Sequence, residues 1–592
     1  MGWQTISGAP EGFDARILGE MPERVGGPVV FVARDAPRLE AMRGALGFFA
    51  PGVPALRFPA WDCVPYDRVS PSAAVSAERM ACLAALAAGP ERACVVLTTV
   101  AAAMQRVPAR EVVAQSSFSA TVGRQIDVEA LRGFLSGMGF AQAPTVTEPG
   151  DFAVRGGLID IYPPGADSPV RLDLFGDVLE GIRRFDPVSQ RSNREEKRLE
   201  LAPASEVILD ADAIQRFRQT YRRTFGAAGT DDPLYEAVSA GRKHQGVEHW
   251  APFFHKRMET LLDYLPSVPV VLDDQVGAAH EARWTSINEQ YTARSDALAE
   301  RSKRDTVYKP VAPELLYLDA AAWEASLDAR PVRQLSALPQ PVGLNVTDAG
   351  GRVGRSFAPE RQQEQVSLFG ALADHIRARR AEGHVILASF SEGSRERMTS
   401  LLEENDVTDA QPLDRFATLP DGKGGLFQAV LALESGFTAP GLTVISEQDV
   451  LGDRLIRRPK RRRAENFLTE AASLSPGDLI VHLEHGIGRY NGLETVTAAG
   501  APHECIALEY AGGDRLFLPV ENIELLSRYG HEEGMLDRLG GGAWQAKKAK
   551  LKERIREMAD ALIRIAAERA LRLAPKFTLP DGLWDEFCAR FP

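Results

Sequence analysis

Residues 151 to 177 read DFAVRGGLIDIYPPGADSPVRLDLFGD. Apolar and polar positions alternate on both sides of the turn-forming PPGADSP, so the stretch reads as paired antiparallel strands with one buried face. In VRLDLF, Val170, Leu172 and Leu174 fall on one face and Arg171, Asp173 and Phe175 on the other. Packing accounts for the first trio. An arginine and an aromatic ring on the opposite face have the make-up of an interface anchor, and the packing pattern does not require Arg155 either. A pairing of Arg171 with Asp173 or a neighbour, with Phe175 capping a second small core, fits the same alternation.

Working outward, strict alternation with turn punctuation runs from about 119 to 200, which predicts a small antiparallel insert. Around it the rhythm differs. PVVFVA (28–33), RFPAW, an Ala/Leu-rich helix (77–88) and CVVLTT (94–99) alternate short apolar runs with helices, the pattern of a mainly parallel sheet buried on both faces. This α/β reading resumes at VPVVLDD (268–274) and is expected to end near 330, in the loop-prone DARPVRQLSALPQP. A further α/β unit is predicted from a helix at 363–380, HVILASF (384–390), SRERMTSLLEE (394–404) and LTVISE (442–447). The basic RLIRRPKRRR (454–463) reads as a solvated linker. Short strands around Gly-containing turns at 475–528 predict a small β-barrel, and residues 544–573 one long amphipathic helix.

The chain of 592 residues is too long for one core, and no apolar run approaches the roughly 20 residues that cross a bilayer. A cytoplasmic, membrane-free protein is expected. The five cysteines never form a C-x-x-C pair, and a net charge of −12 argues against a chain that coats nucleic acid along its length. His482 and His485 in HLEH fall on opposite faces of a continuous strand, so no metal is expected there. The test for a nucleotide site fails: the one Gly-Lys pair, Gly422-Lys423, is followed by Gly424, and the first strand-to-helix loop, SGAPEGFDA (7–15), has no lysine. Asp273 and Asp274 at a strand end then read as a turn. The chain reads as a binding assembly without an ATP site.

Several segments together resemble one family, the bacterial transcription-repair coupling factors: FPAWDCVPYDRVSP (58–71), DFAVRGGLIDIYPP, VRLDLFGDVLEGIRRFDPVSQRS (170–192), GVEHWAPFFHKRMETLLDYLP (246–266), GRSFAPER (354–361), ASFSEGSRER (388–397), IVHLEHGIGRYNGL (480–493) and LGGGAWQAKKAK (539–550). The first 330 residues also resemble the excision-repair helicase UvrB with its nucleotide site worn away, and the tyrosine-rich strand-separating hairpin is lacking. The resemblance implies a multidomain α/β chain. Its parts would be a degenerate RecA-like module (1–118 and 201–330) with a UvrA-binding insert (119–200) and a connecting α/β domain (335–448). A basic linker (449–472), a CarD/Tudor-like barrel that binds the RNA polymerase β subunit (473–535) and a leading helix (536–592) would follow.

It further implies UvrA contacts at Arg155, Arg171 and Phe175, and polymerase contacts in the loop beginning GLETV, at Leu493, Glu494, Thr495 and Val496. Lys547, Lys548, Lys550 and Lys552 are DNA-contact candidates. ATP, magnesium and most double-stranded DNA binding would belong to a translocase motor outside this chain, which is expected to act as a monomer. The alternatives are a UvrB-type helicase subunit and a CarD-type transcription regulator.

Overall fold

The computed structural model describes residues 3–452 except 90–92, 227–231, 300–307, 342, 364–366, 421 and 423. Beyond 452 it describes 477–482, 485–498, 501–519, 526–530 and 536. The chain divides into two compact units, Met1–Arg454 and Leu455–Pro592. The basic linker and the helix carrying Lys547, Lys548, Lys550 and Lys552 lie outside the described residues.

The first unit is built on a seven-stranded sheet in the order Val346–Asp348, Trp3–Ser7, Val332–Leu335, Val270–Leu272, Val29–Ala33, Val95–Thr99, Ala55–Phe58. Every pairing is parallel. Its strands Val270–Leu272, Val29–Ala33 and Val95–Thr99 are buried on both faces, as their unbroken apolar runs predict: Val30 and Val32 enter one core while Val29, Phe31 and Ala33 enter the other. The loop-prone stretch after 330 behaves differently from the expectation. Val332–Leu335 is an inner strand between Trp3–Ser7 and Val270–Leu272. The prolines flank it rather than interrupt it, so no ladder hydrogen bond is lost.

The chain then passes from Asp348 directly into a second sheet, of six strands, through a close crossing. A Cβ on Gly351 would sit 2.5 Å from the Phe13 ring and 2.6 Å from the Gly8 carbonyl, so only glycine fits there. The order is Arg352–Val353, Phe437–Ala439, Leu442–Ser446, His384–Ser389, Leu426–Val430, Gln411–Pro412, and only Phe437–Ala439 runs antiparallel to the others. One face of this sheet does not have a core of its own. Ile386, Ala388, Phe427, Ala429, Leu442 and Val444 share the core beneath helices Phe13–Val25 and Ala36–Phe49, with Phe437 5.5 Å from Phe13 and 6.1 Å from Phe49 between ring centres.

Between the strands Val95–Thr99 and Val270–Leu272 the chain folds the insert. Its six-stranded sheet runs Ser192–Glu196, Val178–Phe185, Val170–Phe175, Leu158–Ile161, Asp151–Arg155, Ala141–Gln142. It is antiparallel except for the short last pair. Phe152, Ile159, Ile161, Val170, Leu172, Leu179 and Ile182 pack inward against Leu131 and Leu135 of helix Val128–Gly137. Phe118 and Phe134 join this core 5.5 Å apart.

In the second unit, five antiparallel strands run in the order Arg515–Pro519, Ala501–Glu509, Gly486–Ala498, Leu479–His482, Leu526–Gly530. This is a half-barrel: among the described residues no pairing joins the first strand of that order to the last.

Candidate partner-binding surface

Because side chains alternate across a pleated strand, the insert's packing fixes what its outer face carries. The register puts Ala153, Asp160, Arg171, Arg183 and Glu195 in one row across five strands. The next row holds Arg155, Leu158, Asp173 and Gly181, and Phe175 pairs with Val178 beyond it. Glu180 is the extra residue of a bulge opposite Asp173 and Leu174, and it lets Leu179 and Ile182 both reach the core.

The two ends of this face differ. One end carries a satellite core of Val146, Ala153, Tyr162 and Phe185. The other end is bare: Phe175 is 76% exposed and Leu158 37%. A second small core therefore exists, but Phe185 builds it and Phe175 caps nothing.

Arg171 lies between the two ends and is not free. Its Nε and Nη2 donate to the two carboxylate oxygens of Asp160 at 2.7 and 2.9 Å, and its guanidinium rests 4.7 Å from the centre of the Phe185 ring. Asp160 is buried, with 2% exposure. Asp173, the neighbour that alternation offers to Arg171, pairs with Arg183 instead. The hydrogen bonds to Asp160 hold the Arg171 pKa above its ordinary value. Arg155 is exposed and donates to the Pro144 carbonyl and, at 3.3 Å, to Thr145 Oγ1. Asp160 and Leu158 were within reach of sequence reasoning, since LIDI alternates as VRLDLF does. The bulge and Phe185 leave no such signal.

A second place to test lies at the carboxyl ends of the large parallel sheet, where open α/β sheets bind ligands. A cleft of about 160 Å³ opens there, lined in part by Glu11, Asp14, Arg34, Asp273 and Asp274. Apart from Asp274, its charges pair with one another. Arg38, 3% exposed, reaches Asp14 with Nη2 and Asp273 Oδ1 with Nε at 3.1 Å. Arg34 bridges Asp273 Oδ2 at 3.0 Å and Glu11 at 2.8 Å. The amide of Gly12, which would face an anion at the start of helix Phe13–Val25, donates to Asp14 Oδ1 at 2.9 Å instead. Burial pushes Asp14 up to about 6, with Arg38 opposing it. Asp273 is thus an ion-paired residue rather than the plain turn expected from sequence. These carboxylates do not fit nucleotide phosphates.

In the half-barrel, Leu493, Glu494, Thr495 and Val496 lie in strand Gly486–Ala498, not in a loop. The strand is long, and Leu479–His482 pairs only with residues 486–489. From Gly492 to Ala498 one edge pairs with Ala501–Ala507, and among the described residues no strand pairs with the other edge. Leu493 is 51% exposed there. The histidines depart from expectation too: the strand stops at His482, and the turn brings His485 back so that the two rings stack 4.6 Å apart. Among the described residues no group of side chains is set to hold a metal.

The bare-ended insert coincides with a family model, the UvrB interaction domain, which matches residues 118–207. The half-barrel coincides with the CarD-like/TRCF RID domain, matched over 474–530. Whole-chain comparison gives transcription-repair-coupling factors from Rickettsia bellii (30% identical, covering 95% of this chain and 49% of the relative) and Escherichia coli (30%, 98% and 50%). One from Bacillus subtilis matches at 27%, over 84% and 43%.

The chain belongs to the transcription-repair-coupling factor family.

It spans about half the length of the curated relatives it matches. Within this family member, the UvrB interaction match closes at residue 207, beside an anchoring contact. Glu206 is buried and forms an ion pair with Arg79, itself fully buried over the Phe58 and Trp61 rings. Trp61 Nε1 donates to the same carboxylate at 3.1 Å. The insert's exit is thus tied to helix Ala73–Ala88 of the α/β body. No described helix is long and apolar enough to cross a membrane.

Proposed function

We propose that this chain is the docking portion of a coupling factor that joins a stalled RNA polymerase to excision repair. It holds UvrA at the insert's outer face and the polymerase β subunit at the half-barrel. The observation that carries the UvrA reading is Phe175: a largely exposed aromatic ring at the uncovered end of the sheet, inside the segment matched by the UvrB interaction domain. A solvent-facing phenylalanine on the same sheet face as Arg155 and Arg171 has the make-up of an interface anchor. Arg155, Arg171 and Phe175 are assigned to this contact. Hydrogen exchange with and without UvrA tests it: protection is expected across 153–160 and 171–183, and a footprint elsewhere contradicts it.

For the polymerase, Leu493 to Val496 offer a strand edge that has no partner among the described residues, and an exposed leucine, the arrangement used in strand addition. The first unit reads as a degenerate RecA-like fold. Its cleft is proposed not to take ATP, because Asp14 and Glu11 occupy the ground that phosphates need and Arg34 and Arg38 are already neutralised. Calorimetric titration with ATP and magnesium is expected to give no saturable heat, and a binding isotherm contradicts the assignment. ATP-driven movement on duplex DNA is assigned to residues outside this chain.

A further inference from the structure

The bidentate pair beneath the docking face gives a role to a residue that cannot itself touch a partner. We propose that Asp160 is a positioning residue for UvrA recognition: it locks the Arg171 guanidinium in the orientation in which its remaining N–H groups meet an acceptor on the partner. This rests on the UvrA reading above. Asp160 is 2% exposed, on the strand next to Arg171 and directly opposite it in register. It takes the Nε and one Nη2 hydrogen of Arg171. Nη1 makes no hydrogen bond among the described residues, and the arginine side chain keeps 18% of its surface open.

The Phe185 ring supports the flat guanidinium on one side, so the fork is held by one carboxylate and one aromatic face. An arginine free to rotate loses rotamer entropy when a partner fixes it. One already fixed does not, and its planar fork selects a carboxylate or carbonyl acceptor in a single direction. Lysine at this position would keep the charge and lose the fork.

UvrA affinity is measured by calorimetric titration for the whole chain as wild type and as Asp160→Asn, Arg171→Ala, Phe175→Ala and the double variants that combine Asp160→Asn with each of the other two. Denaturant midpoints are measured alongside. Asp160→Asn is expected to weaken binding roughly tenfold, although the side chain is buried. Adding it to Arg171→Ala is expected to cost nothing further, while adding it to Phe175→Ala multiplies the two losses. A merely structural aspartate gives a different pattern, and either form of it overturns the proposal: the folded Asp160→Asn protein binds as wild type, or its loss merges equally with those of Arg171 and Phe175. Should Asp160→Asn fail to fold, Arg171→Lys is decisive, with a roughly tenfold loss expected and retained affinity contradicting it. If the wild type shows no saturable UvrA binding, the docking reading itself falls and takes this proposal with it. If Phe175→Ala weakens binding and Asp160→Asn does not, only the positioning role falls.

Discussion

The three arginine and aromatic positions on the insert face are chemically unequal, and truncating each has a different consequence. Phe175 is 76% exposed and belongs to none of the cores, so Phe175→Ala is expected to leave stability within about 0.5 kcal/mol of wild type. Arg171→Ala strands the buried Asp160 carboxylate, and a loss of about 3 kcal/mol is expected in denaturant titration. An unchanged midpoint would show that Asp160 finds water or another donor. Alternation places Arg171 on the outer face, but the partner it chooses depends on which strand lies beside it, which a single strand does not encode. The charges of the parallel-sheet cleft pose a similar problem, since Asp14, Arg38 and Asp273 meet from three separate parts of the chain. Their pH dependence follows from Asp14, whose folded value of about 6 lies above the ordinary 3.8. Between those values the folded state binds the proton more tightly than the unfolded chain, so stability falls as pH rises through about 4 to 6. Asp14→Asn is expected to flatten that slope. Denaturant midpoints from pH 4 to pH 7 check it, and parallel slopes in the two proteins contradict it.

At the level of single elements, strands with strong periodicity were legible and those set by context were not. VVFVA and CVVLTT read correctly because a strand buried on both faces needs an unbroken apolar run. VRLDLF read correctly because a half-buried strand must alternate, and Leu172→Ala is expected to cost about 2–5 kcal/mol from the insert core. Val332–Leu335 was hidden in a proline-flanked stretch whose apolar content is low, since its strand character comes from the neighbours on both sides. The His482 and His485 pair was misplaced for a related reason: period-two counting assumes that the strand continues, and here it turns. The family resemblance implies a loop beginning at GLETV, whereas Gly492 sits at a bulge in a long strand. Leu493→Arg is expected to abolish binding to the polymerase β subunit while leaving circular dichroism unchanged, and binding at wild-type affinity would remove that edge from the contact.

On the scale of the whole molecule, the insert and the half-barrel each have a change of periodicity at their borders in the sequence. The sequence separates the two α/β sheets of the first unit poorly. They share one core beneath helices Phe13–Val25 and Ala36–Phe49, and an interior strand of the first sheet lies beyond residue 330. A chain ending at 330 is therefore expected to lack a cooperative unfolding transition, whereas residues 1–452 are expected to show one in calorimetry. The tie between the insert and the α/β body rests on the buried Arg79 and Glu206 pair, and Glu206→Gln is expected to cost about 3 kcal/mol or more. The account centres on the claim that this body displays the insert's bare face to UvrA. Its most direct test is calorimetric titration of UvrA into the wild-type chain and into Phe175→Ala. Saturable binding that weakens roughly thirtyfold at an unchanged unfolding midpoint is the predicted result, and equal affinity for both proteins would contradict it.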